Sequence, residues 1–481
     1  MVEATQRKWL ALALLATVQF MVVLDIAIVN VALPSIQVDL GFSQESLQWV
    51  ISAYALFFGG FLLLGGRTAD LLGRRRLFIA GLVLFSAASL ASGLAWNDEA
   101  LIVARAVQGL GAAMITPAAL AILMTTFPEG RERNTALGVW GAVGAFGAVA
   151  GVLLGGILTD WLSWEWIFYI NVPVGLAALA VTPLLLAESR DEAMTSFDVP
   201  GAVLVTGGMV TLVYAITQAN DYGWGSVETI GLFVLAGALL AGFAGWEARA
   251  KEPLMPFGIF RIRTVAAANI SGLILGTVTF SMFLMLTLYM QQVLSYSPLK
   301  TGVAYLAVAG TAIIWSTVAA QLVNRVGVKP VIAAGMAALT AGLLYFTQVS
   351  VGGSYLGDLL PGFLLIAVGL GFSFVPISIA ALAGVRSNEA GLASGLFNTS
   401  QQIGGALGIA ALSAIATSKT EAGVASGTAL PKALTDGFEA AFIWGGIVAA
   451  AGILVALVLV RESDLEAPVE EEVREPALEA A

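Results

Sequence analysis

Apolar positions along this chain come in long blocks, broken by short polar turns. The blocks fall at about residues 10–33, 47–66, 76–96, 100–126, 134–158, 166–187, 200–219, 229–248, 264–290, 301–324, 329–349, 357–383, 391–417 and 437–460. Each reaches the length of roughly 20 residues that an α-helix needs to cross the hydrocarbon of a bilayer. The pattern predicts an all-α integral membrane protein with 14 transmembrane helices.

The polar breaks set the orientation. The stretch GGRTADLLGRRR, Gly65 to Arg76, holds Arg67, Arg74, Arg75 and Arg76 between two apolar runs. Four arginines cannot rest in hydrocarbon, so this is a short loop in water, and cation-rich short loops stay cytoplasmic. With the N-terminus inside and the spans alternating, 18 of the 22 Lys and Arg residues fall on the cytoplasmic side. Only Lys300, Lys419 and Lys432 fall outside, and Arg105 lies within a span. One miscounted helix would reverse every later loop and spoil this asymmetry, so both termini are expected in the cytoplasm. The first run follows Arg7 and Lys8, as in a signal peptide. It is about 24 residues long and lacks a clear small-residue cleavage site, which fits a retained helix better.

The chain also echoes itself. In NRVGVK, Asn324 to Lys329, the glycine aligns with that of DLLGRR, Asp70 to Arg75, placing Asn324 on Asp70 and Lys329 on Arg75. The organisation expected is a six-helix bundle over 1–190 and two extra helices with a linker over 191–262. A second six-helix bundle then covers 263–460. Parallel repeats of this kind mark transporters. Residues 461–481 carry eight acids and two arginines and read as a disordered, solvated cytoplasmic tail.

Composition narrows the chemistry. Of the 481 residues, 58% are hydrophobic and 11% charged, too few charges to cover a water-facing surface. There is no cysteine and no histidine. Disulfide and thiolate chemistry are excluded, and a proton handled near neutral pH must ride on a carboxyl group or on water. No Walker loop, zinc spacing or serine elbow is present, so neither an enzyme nor ATP hydrolysis on this chain is expected. An ion gradient remains as the energy source; one charge crossing 100 mV is worth about 2.3 kcal/mol.

Two charges lie inside predicted spans and are the first candidates for function. Asp25 sits in LDIAIVNVALP, Leu24 to Pro34. A carboxylate at membrane depth costs roughly 2.5–3.5 kcal/mol, which points to function, with a structural bond or ion pair as the alternative. Arg105 sits in LIVARAVQGLGAA, Leu101 to Ala113. At 1.5 Å per residue it lies about 7 Å from the outer end of its span, and Asp25 lies about 12 Å from the outer end of the first. If those spans are neighbours, the two side chains can pair. Gln108 shares the face of Arg105 at i+3. Asn30 reads equally as packing glue or as a ligand contact. Gly138, Gly147, Gly151, Gly155 and Gly156 line the fifth span, where small residues admit close helix approach. Trp49, Tyr54, Phe280, Met282, Phe283, Met285 and Tyr289 are core, lipid-facing or cavity residues.

The motifs together resemble the fourteen-helix drug:proton antiporters of the major facilitator superfamily, over nearly the whole chain. LDIAIVNVALP matches the first-helix motif LDxTxVNxALP, with Ala27 where threonine is usual. Gly66, Asp70, Gly73, Arg74 and Arg75 match the loop motif, with Leu71 where a cation is usual. The fourth-helix motif runs from Arg105 to Ala113. The fifth-helix antiporter motif matches at Gly138, Gly147, Gly151, Gly155 and Gly156, with Val152 in place of its proline. WEWIFYINVPVG (Trp164 to Gly175), EPLMPFGIFRIR (Glu252 to Arg263) and the Tyr289–Gln292 run are similar to later signatures; Glu165 stands where the family often has arginine.

The resemblance implies a major facilitator fold (6 + 2 + 6 helices) in a bacterial cell membrane, working by alternating access as a monomer. Asp25 would bind protons and recognise cations, Arg105 would assist, and the Gly66–Arg76 loop would latch the cytoplasmic side. The expected function is proton-coupled export of lipophilic or cationic drugs, with the proton gradient as energy source, no cofactor or metal and no nucleic-acid partner. A dedicated exporter or importer of one metabolite, and a non-transporting receptor or scaffold, are the alternatives.

Overall fold

The computed structural model describes residues 2–127, 131–190, 198–251, 253–385 and 390–460. Among the described residues, fourteen helices are long and apolar enough to span a membrane. They are α1 Gln6–Leu40, α2 Trp49–Ala69, α3 Arg74–Gly93, α4 Asp98–Thr126, α5 Thr135–Trp161, α6 Trp166–Leu185 and α7 Val199–Ala219. The second seven are α8 Val227–Glu247, α9 Arg263–Val293, α10 Pro298–Val326, α11 Val328–Gln348, α12 Tyr355–Leu382, α13 Leu392–Ala425 and α14 Leu430–Leu459. An even number of crossings puts both ends of the described chain on one face, which also carries the Gly65–Arg76 loop and is called the cation-rich face below.

Most ends fall within three residues of the apolar blocks. Two of the exceptions have local reasons. Helix α1 continues past Pro34 to Leu40, since an internal proline removes one backbone hydrogen bond without ending a long helix held by its neighbours. Helix α14 starts at Leu430, with Pro431 in its first turn where a missing N–H costs nothing. Its first residues are too polar to join an apolar block.

Helices α1–α6 and α9–α14 form two bundles. In the first, α4 packs between α2 and α3, and α1 lies along α5; in the second, α9 packs on α13 and α14, and α12 on α10 and α11. Leu15, Val18, Phe78, Phe85, Ile115 and Phe127 fill the first core. Tyr305, Phe346, Phe363 and Phe442 interlock in the second, with ring centroids 5.5–5.6 Å apart. The bundles meet along α2–α13 and α5–α10. The extra helices α7 and α8 pack on each other, and α7 lies against both α2 and α13.

Two glycine turns are built alike, the helical backbone of α2 running on past Ala69 to Leu72. Gly73 joins α2 to α3 at φ 108°, and Gly327 joins α10 to α11 at φ 87°. These backbone angles favour glycine, and they give the repeat seen at Asp70–Arg75 and Asn324–Lys329 a common geometry.

Candidate functional site

Close approach of backbones assembles the centre of the first bundle. Gly151 and Gly155 sit against α1, where an added Cβ would lie 2.9 Å from the Leu24 carbonyl oxygen and 2.6 Å from that of Ile28. Gly109 of α4 lies against the Tyr54 carbonyl of α2 in the same way. The glycines thus carry α1 and α2 in toward the polar face of α4, on which Arg105 and Gln108 stand three residues apart.

There Asp25 is fully buried and Arg105 is 1% exposed. Arg105 Nη1 donates to Asp25 Oδ2 at 2.7 Å. Gln108 Nε2 and Asn171 Nδ2, from α4 and α6, each donate to Asp25 Oδ1 at 2.8 Å. Arg105 also donates through Nε to the Val50 carbonyl at 3.0 Å and through Nη1 to Gln108 Oε1 at 2.6 Å. Its guanidinium lies 4.3 Å from the Tyr54 ring centroid and 5.6 Å from that of Phe168, a cation–π arrangement on two faces. Asn171 Nδ2 is shared with Ser89 Oγ at 3.1 Å, and Ser89 donates to the Phe168 carbonyl at 2.9 Å. Every charge in this dry cluster therefore has partners, which is the condition for burying an ion pair at all. The arrangement can hold a carboxylate at depth, with one donor on Oδ2 and two on Oδ1.

The structure thus brings Asp25, Arg105 and Gln108 together. Asn30 stays out: its Nδ2 turns back to the Ile26 carbonyl at 3.1 Å on its own helix. Asn171, Ser89 and Tyr54 complete the cluster. Asn171 lies within WEWIFYINVPVG and stood out there only as part of a signature. A serine such as Ser89 in an apolar helix carries no signal until its partner is known.

The loop motif has its own partner in Glu188, just past α6. Glu188 accepts from the Arg75 and Arg76 backbone N–H groups at 3.0 and 3.2 Å, capping the positive end of α3. Its carboxylate is 3.8 Å from the Arg75 Nε. Gly73 leaves no room for a Cβ beside this carboxylate, and Gly66 rests on Pro117. Arg74 N donates to the Ser189 carbonyl at 2.9 Å. Arg67 Nη2 reaches the Pro253 carbonyl at 2.6 Å. The Asp70 side chain, Glu252 and the tail 461–481 lie outside the described residues.

The antiporter glycines divide by neighbour. Gly147, Gly151 and Gly155 face α1, whereas Gly156 meets Pro298 and Leu299 of α10. Gly138 has open space around it. On the face opposite the cations, Gln291 Nε2 donates to the Val31 carbonyl at 2.7 Å and Gln292 Nε2 to Gln37 Oε1 at 2.9 Å, tying α9 to α1. A cavity of about 720 Å³ opens beside these contacts, lined by Asp39, Thr159, Trp164, Glu165, Gln291 and Gln292 among others. A smaller one of about 200 Å³ lies near Gln48, Met285, Thr417 and Phe438. Tyr54, Met282 and Tyr289 are buried in the cores.

The major facilitator superfamily model matches residues 15–409. The chain belongs to the major facilitator superfamily. Superfamily members are transporters, and this one is a multi-pass cell-membrane transporter, not an enzyme. It is 43% identical to the puromycin resistance protein of Streptomyces alboniger over 437 residues, covering 90% of this chain and 86% of that protein. It is 40% identical to a cephamycin export protein of Amycolatopsis lactamdurans, covering 85% of each. To the tetracenomycin C resistance and export protein of Streptomyces glaucescens it is 36% identical, over 86% of this chain and 77% of that one. Among solved structures, a peptide transporter in complex with sulfate shares the superfamily fold at a TM-score of 0.68, with 17% identity and 93% coverage of both chains.

Proposed function

We propose that this chain is a proton-coupled antiporter that exports lipophilic, often cationic, antibiotics or drugs from the cytoplasm. The observation that carries the reading is Asp25, a fully buried carboxylate at the meeting point of α1, α4 and α6. With no histidine or cysteine in the chain, a buried carboxyl is the group suited to take up and release a proton during transport. Protonation cancels its charge and frees Arg105, and a cationic substrate at Asp25 has the same effect on that pair. Proton and drug therefore compete for one site, and competition at a site open to alternate sides produces exchange in opposite directions. The cation-rich face is the cytoplasmic one in this reading, following the charge asymmetry of the loops. The names of the relatives, which concern antibiotic resistance and export, support a small-molecule substrate and outward transport.

Ethidium efflux from energised cells that lack their own pumps tests the proposal. Wild type is expected to export, whereas Asp25→Asn, or a protonophore, is expected to stop export. Efflux that survives the protonophore would sink the coupling. An Asp25→Asn protein that exports like wild type would remove Asp25 from the coupling mechanism, and a well-expressed wild type that exports nothing would point to a dedicated substrate or to a receptor or scaffold.

A second reading, a dedicated exporter of one antibiotic, is favoured by relatives named for single compounds. A panel of inhibitors separates the two. Resistance to one chemical class alone, in cells showing no ethidium efflux, selects the dedicated exporter.

A further inference from the structure

Two acids are buried where the chain passes from the extra helices into the second bundle. Asp198, immediately before α7, is 4% exposed, and Glu247, the last residue of α8, is 3% exposed. One oxygen of each is satisfied. Asp198 Oδ1 accepts from Gly201 N at 2.9 Å and from Trp246 Nε1 at 2.6 Å. Glu247 Oε2 accepts from Met255 N at 3.0 Å. The other two, Asp198 Oδ2 and Glu247 Oε1, have no donor among the described residues. Both press on Gly201, lying 2.6 and 2.5 Å from the place its Cβ would occupy, so they flank the same point. Two ionised carboxylates in one dry spot repel strongly, and two acceptors can bond only with a proton between them.

We propose that Asp198 and Glu247 share a single proton, forming a second proton-binding site apart from Asp25 that clasps the 253–256 linker onto the extra helices. Asp198 is the ionised partner. Burial raises its pKa, but hydrogen bonds from Gly201 N, the Glu247 carboxyl and Trp246 outweigh burial and hold it below the ordinary carboxyl value. The proton therefore rests on Glu247. A metal ion fits poorly, because the space around the pair is filled by N–H donors and no third acid joins it among the described residues. The charged groups nearby are Arg249 and Lys251 on the turn after α8, and Arg67 of α2, which holds the Pro253 carbonyl. Glu252 lies outside the described residues. Loss of the proton leaves two buried anions, which must part. Met255 then loses its acceptor and the linker loosens, so the clasp is closed at low pH and opens as pH rises. This goes beyond the proposed antiport and does not depend on it.

Infrared spectroscopy of the purified full chain tests the proton directly. Wild type and Asp25→Asn are expected to share a protonated-carboxyl band that is lost in Glu247→Gln. Identical spectra for wild type and Glu247→Gln would overturn the proposal. The clasp has a separate readout, since the chain has no native cysteine. In a Leu254→Cys protein, maleimide labelling, normalised to a free thiol peptide at each pH, is expected to accelerate as pH rises. Adding Glu247→Gln, whose amide can donate to Asp198 at every pH, is expected to keep labelling slow throughout. Normalised labelling that ignores pH with both acids in place would overturn the clasp.

Discussion

At Arg105, a single side chain holds three helices through polar groups: Asp25 of α1, Val50 of α2 and Gln108 of its own α4. Removing it leaves Asp25 buried with only the two amides. Breaking a buried pair by deleting one partner costs about 3–5 kcal/mol, whereas replacing both by apolar groups can be nearly neutral. Arg105→Met is therefore expected to melt at lower temperature in detergent than Asp25→Leu/Arg105→Met, although neither should export. A double variant less stable than the single one would show that Asp25 carries no burial penalty once its partner is gone, and the net worth of the pair itself is read from the double variant against wild type. Asp25, Arg105 and Gln108 were legible in the sequence because a charge inside an apolar block has few explanations. Asn171, Ser89, Glu188 and the Asp198–Glu247 pair were not. An amide or hydroxyl in a span reads as packing, an acid near a turn reads as solvated, and only the tertiary structure supplies their partners.

Helices were the most legible scale, because the bilayer leaves hydrophobic length as the deciding variable. What a glycine faces was less so, since spacing fixes a stripe on a helix but not its neighbour. Gly151 and Gly138 belong to one sequence motif yet meet different surroundings. A Cβ at Gly151 would lie 2.6 Å from the Ala27 Cβ and 2.9 Å from the Leu24 carbonyl oxygen, beside Asp25; one at Gly138 would meet nothing within 4 Å. Overpacking a tight interface typically costs about 1–3 kcal/mol, while alanine favours a helix over glycine by up to about 1 kcal/mol. Gly151→Ala should accordingly lower the melting temperature and impair export, and Gly138→Ala should leave stability unchanged or slightly improved. Equal losses at both positions would mean that the motif acts through something other than its contacts here.

Across the whole molecule, the two bundles are tied on the face opposite the cations. Gln291 and Gln292 hold α1, and Gly156 and Gly302 bring α5 and α10 together. If transport requires these ties to open, fixing them should stop it. A Gln37→Cys/Gln292→Cys protein, bridged by a short bifunctional maleimide, is expected to lose export, while each single-cysteine protein treated alike retains it. Undiminished export after complete bridging would exclude rocking at this face. Toward the other end of α5, Gly144 meets nothing within 4 Å, nor does Gly310 midway along α10. The bundles also meet along a second line, between α2 and α13, and there α7 lies over the join. Gln48 Nε2 donates to Thr217 Oγ1 at 3.0 Å, and Ala55, Leu56, Val213, Ala406 and Ala410 form one buried cluster of three helices. The α5–α10 line has no such cover among the described residues. The extra helices thus make the molecule one-sided toward the membrane. One flank of the join between the bundles lies behind a helix, and the other, among the described residues, is left to face the lipid directly.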